Sequence, residues 1–61
     1  MVEQIFTFGF EQKHEGCYTV IHGKTKAECR KKMFEKYGDQ WSFQYDSEKE
    51  AGVEKYNLKL I

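Results

Sequence analysis

The chain has 61 residues, enough for one small core and no second domain. Its formal net charge is zero, with ten cations against ten acids, so no bulk charge draws it to nucleic acid. Aromatic residues make up 16% of the chain, which excludes disorder, and no stretch approaches the ~20 apolar residues that a membrane helix needs.

So short a chain buries only about 60% of the surface its unfolded form exposes, and domains of this size commonly lean on a staple or a partner. Cys17 and Cys29 are the only cysteines. The polar start Met1-Val2-Glu3-Gln4 leads into no apolar signal segment, so a cytoplasmic protein with two reduced thiols is expected.

Residues 4–10 alternate with period two, which predicts a strand carrying Phe6, Phe8 and Phe10 on one face. Gly9 within it marks a bulge or a close approach. The polar run 11–16 reads as a hairpin loop. Residues 17–22, β-branched and aromatic, predict a second strand with Tyr18, Val20 and His22 on one face. Thr25 is placed to cap a helix, with Glu28 as its capping-box partner, and Gly38 stands where a helix ending near Tyr37 takes a left-handed glycine. Cys29, Met33, Phe34, Tyr37 and Ala27 share one arc of that helix. Trp41, Phe43 and Tyr45 alternate in a third predicted strand. The polar connection 46–52 has room for a helical turn, and residues 53–61 alternate again. The expected fold is a single α+β domain in the order β-β-α-β-β, a four-stranded antiparallel sheet with one helix packed on one face.

Charge is segmented along the chain. Residues 24–38 carry Lys24, Lys26, Arg30, Lys31, Lys32 and Lys36 against Glu28 and Glu35, a balance of +4, while the flanking segments carry −2 each. Arg30 is the most informative of these, because its angle puts it inside the apolar arc, between Tyr37 and Phe34. Either its stem packs along the core edge with the guanidinium stacked on an aromatic, or it anchors a partner's carboxylate or phosphate. The candidate binding residues are therefore Arg30, Lys24, Lys26, Lys31 and Lys32, although such a run is most often a solvated face.

Other chemistry is thinly supported. Gly23-Lys24-Thr25 resembles the end of a phosphate-binding loop, but the glycine that motif needs five positions earlier is Tyr18. His14, Cys17, His22 and Cys29 lack the paired spacing of a zinc set. A Cys-His nucleophile would need a pocket, for which this chain has little room. No enzyme activity, metal or cofactor is expected.

The segment from Cys29 to Tyr45, with Phe6-Thr7-Phe8-Gly9-Phe10 upstream, resembles a group of small proteins encoded by phages and prophages of Gram-positive bacteria. The shared features are an aromatic-Thr-Phe-Gly opening, the helix motif Arg30-x-x-Met33-Phe34, the turn Gly38-x-x-Trp41 and the strand Phe43-Gln44-Tyr45. After Asp46 the chain departs from the group's pattern. The resemblance implies a phage or prophage setting; together with the small size and the lack of catalytic chemistry, the expectation is an accessory protein of the bacterial host cytoplasm that binds a host macromolecule, such as an inhibitor of a defence system with a CRISPR nuclease as its target. The alternatives are an anion, nucleotide or single-stranded nucleic-acid binder using the helix start and basic helix face, and a virion structural or assembly component. The many apolar groups on alternating faces, too many for one helix to cover, also predict a two-fold homodimer.

Overall fold

The computed structural model describes residues 1–61 in the element order β1 (Val2–Thr7), β2 (Cys17–Gly23), α1 (Lys26–Tyr37), β3 (Phe43–Tyr45), α2 (Glu48–Ala51) and β4 (Lys59–Leu60). No helix is long and apolar enough to cross a membrane. The strands form one sheet in the order β3-β1-β2-β4. β1 lies at its centre, antiparallel to both β2 and β3.

The expected antiparallel sheet is corrected to a mixed one, because β4 runs parallel to β2. The cause is the connection. β3 lies on the outer side of β1, and residues 46–58 carry the chain across one sheet face to the far side of β2. A crossover of roughly a dozen residues or more returns the chain to the end it left, which makes the next strand parallel. Only Lys59 and Leu60 pair, so the strand expected over 53–61 shrinks to two residues.

The expectation of a single helix on one face is corrected as well. α1 packs on one face, where its Cys29 and Met33 are buried with Phe6, Phe8 and Trp41, and Ile21 and its own Tyr37 lie at the margin. α2 and the turn after it cover the other face, where Ile5, Tyr18 and Ala51 are buried against Val20, Tyr45, Val53 and Leu58. α2 is one turn, closed at its start by Ser47 Oγ accepting the Glu50 N–H at 3.2 Å and at its end by Gly52 at φ 75°, ψ 30°.

α1 has the predicted bounds. Thr25 Oγ1 accepts the Glu28 N–H at 3.1 Å, while the Glu28 carboxylate faces Lys32 rather than completing the capping box. Gly38 has the expected positive φ, 63°, but its ψ of −126° lies outside the left-handed helical well.

Two side-chain placements depart from the alternation. Phe10 is 90% exposed, because β1 ends at Thr7. Phe8 still packs edge-on against His14 and Tyr37, but α1 stops at Tyr37 and offers nothing to cover Phe10. At Gly9 a Cβ would run into Ser42 Oγ, the close approach its position in the sequence suggested. The second departure concerns Trp41, Phe43 and Tyr45, which do not share a face. Trp41 precedes β3 and packs on the α1 side, while Phe43 and Tyr45 pair with Thr7 and Ile5 on the other side. Gln44 is the β3 residue that points toward α1. Its amide donates to Gln4 Oε1 at 3.0 Å and to the Lys26 carbonyl at 3.1 Å, and these bonds select the register.

Candidate binding groove

α1 and the stretch 41–46 enclose an open groove of about 430 Å³, lined at its working edge by Lys26, Arg30, Phe43, Gln44, Asp46 and Glu50. Its floor is polar and tightly bonded. Gln4, 3% exposed, donates from Nε2 to Asp46 Oδ1 at 3.1 Å and to the Glu3 carbonyl at 3.0 Å, and accepts from Gln44. Buried amides in such a place must be fully partnered. No buried side-chain nitrogen or oxygen in the structure lacks a partner.

At one end of the groove Lys26 Nζ lies 2.7 Å from Asp46 Oδ1. The Lys26 ammonium, then the Gln4 amide, holds the Asp46 carboxyl below the usual carboxylate range, and Asp46 in turn raises Lys26. Lys26 is thus already engaged within the protein.

Arg30 stands at the other end. It lies on the exposed side of α1, with Cζ 5.6 Å from the Phe34 ring centroid and 5.3 Å from that of Trp41. The two rings meet edge to face with centroids 5.3 Å apart. Trp41 is itself fixed. It is 8% exposed, packs edge-on against Phe6 at 5.1 Å, and donates from Nε1 to the Gly38 carbonyl at 3.0 Å. This last bond accounts physically for the Gly38-x-x-Trp41 spacing, because it folds the chain after α1 back over the helix. Arg30 takes part in none of the three ion pairs.

The remaining candidate residues are spread out. Lys32 Nζ donates to the His22 carbonyl at 2.7 Å and lies 3.8 Å from Glu28, which ties it to the end of β2. Lys24 and Lys31 are exposed, and neither lines the groove. Of the five predicted residues only Lys26 and Arg30 come together here. Gln4, Gln44 and Asp46 were not anticipated. For Gln44 a signal was present, since it is a polar residue at a strand position flanked by Phe43 and Tyr45.

The four residues that zinc would need are apart: His14 lies against Phe8 and Tyr37, His22 bonds Glu3, Cys17 sits at the start of β2 and Cys29 is buried in α1. No group of three or more His, Cys, Asp or Glu side chains is placed to hold a metal ion. Another concavity, about 740 Å³, is lined only by residues of the segment 48–56 and does not include Arg30. No family model matches the chain, and no curated protein or solved structure matches it.

Proposed function

We propose that the protein is a small accessory binding protein that acts by docking on a host macromolecule through the α1 side of the molecule. One observation carries this reading: Arg30 is exposed, rests on two aromatic rings and has no acidic partner in its own chain. A guanidinium oriented by stacking loses little freedom on binding, and its planar fork suits a carboxylate or phosphate. The phage setting, and inhibition of a bacterial defence system such as a CRISPR nuclease as the outcome of binding, rest on the resemblance of residues 6–45 alone. That resemblance acquires physical content here, since Arg30, Phe34, Gly38 and Trp41, the residues of its helix and turn motifs, build the Arg30 platform.

The anion or single-stranded nucleic-acid reading is less favoured. Lys26, expected at a helix-start anion site, is committed to Asp46, and of the aromatic rings on the α1 side Phe6, Phe8 and Trp41 are packed in the core rather than open for base stacking.

The test is affinity capture from host lysate with the intact chain and with Arg30→Ala and Lys49→Ala. Capture of a discrete partner that is lost with Arg30→Ala and retained with Lys49→Ala is expected. Capture that is indifferent to Arg30, or no discrete partner at all, overturns the reading.

A further inference from the structure

We infer that the groove between α1 and β3 receives an acidic protein segment, whose carboxylate pairs with the Arg30 fork. This rests on the reading of Arg30 as a docking residue and adds the chemistry of the partner.

Three observations select that occupant. Phe34 and Trp41 cover the face of the Arg30 guanidinium, so what remains for a ligand is its N–H edge, the geometry that takes a carboxylate through two parallel hydrogen bonds. The α1 segment carries a balance of +4, which steers an acidic segment toward this side. The far end of the groove, in contrast, carries Asp46 and Glu50. A nucleic-acid strand has a negative phosphate at every nucleotide and would meet both carboxylates after its first contact with Arg30. A protein segment can place one acid at Arg30 and a neutral or basic residue at Glu50. The mixed sign of the groove therefore favours protein over nucleic acid.

The site is also preorganised. Trp41 is held by Gly38 and Phe6, and the floor is held by the Gln4–Gln44–Asp46–Lys26 bonds. Binding then orders few side chains beyond Arg30.

Titration of the isotope-labelled intact chain, followed by NMR, tests the inference. The probes are a blocked hexapeptide Gly-Glu-Leu-Glu-Phe-Gly, the same peptide with Gln in place of each Glu, and a ten-residue oligothymidylate. Saturable shifts of the Arg30 Nε–H and Trp41 Nε1–H resonances with the Glu peptide only are expected. Arg30→Lys, which keeps the charge and loses the fork, should weaken the peptide about tenfold. Arg30→Ala should abolish the response while the Thr25-capped Glu28 amide and the Gly38 amide keep their positions, which shows that the fold is intact. Equal affinity of Arg30→Lys, or a response to the Gln peptide, overturns the carboxylate pairing. Shifts at Arg30 with oligothymidylate and not with peptide overturn the protein occupant. If neither probe acts yet capture from lysate still depends on Arg30, the acidic-segment inference falls and the docking reading stands. If that capture is indifferent to Arg30, both fall.

Discussion

Thr25 shows how much one hydroxyl can decide. It accepts the Glu28 N–H at the start of α1, and without it that donor has no partner in the first turn. Thr25→Ala should lower stability by roughly 0.5–2 kcal/mol, read as a shifted midpoint of urea unfolding; an unchanged midpoint with the fold intact would mean that the cap does not hold the helix start. Asp46 gives a second residue-scale expectation. Its folded pKa lies below its unfolded one, so its stabilising effect is present above the ordinary carboxylate range, near about 4, and is lost as pH falls through the lowered value. Lys26 works in the opposite sense. Its raised folded pKa gives a contribution that is full below about 10.4 and lost as pH rises through the raised value. Both groups are more than half exposed, so the effect is modest and screened by salt. Asp46→Asn should flatten stability at the acid and alkaline limits alike, measured as melting temperature against pH. An acid limb of unchanged slope would assign acid sensitivity to other carboxylates.

At the scale of elements, the packing of α1 on the sheet separates the two cysteines. Cys29 is fully buried, with Sγ 3.6 Å from the Ile21 carbonyl and a Gly23 neighbour so close that a Cβ there would lie 3.1 Å from the sulfur. Cys17 is half-buried at the start of β2. A thiol reagent should therefore modify Cys17 first, and Cys29 only as fast as α1 opens from the sheet. Equal rates in native protein would mean that α1 is not docked as described. The short β3 illustrates a different element-scale rule. Alternation alone put Trp41, Phe43 and Tyr45 on one face, yet Trp41 stands outside the strand and Gln44 faces the helix. A strand of three residues carries too little apolar pattern to choose its own register, and the amide bonds from Gln44 to Gln4 and Lys26 choose it instead.

For the whole molecule, the second layer changes the outlook for self-association. One helix was expected to leave the reverse of the sheet bare, which was the main reason to expect a two-fold dimer. α2 and residues 53–58 instead cover Ile5, Tyr18 and Val20, and Tyr18 Oη donates to Glu48 at 3.2 Å across that contact. Among the large apolar residues that stay exposed, which include Phe10, Phe34, Tyr56 and Ile61, Phe43 and Leu60 lie at opposite edges of the sheet. A species of 7.3 kDa at micromolar concentration is the expected result of sedimentation equilibrium. Twice that mass would assign a self-association role to the edges at β3 or β4.

Local features were legible in the sequence. The α1 bounds, the Thr25 cap, the hairpin between β1 and β2, the close approach at Gly9 and the basic character of the α1 segment each depend on a few neighbouring residues, and local propensity carries them. The parallel pairing of β4, the coverage of the second face by α2, the exposure of Phe10 and the face taken by Phe43 depend on which distant segment has already filled a space. Arg30 lies between these cases. Its angle on the helix marked it as unusual, but the platform beneath it exists only because Gly38 turns the chain and Trp41 returns to bond that glycine's carbonyl. Phe34, four residues on, is a neighbour of Arg30 by helical period, but a contact between residues eleven positions apart is set by that fold-back, so the tertiary structure alone decided that Arg30 also rests on Trp41.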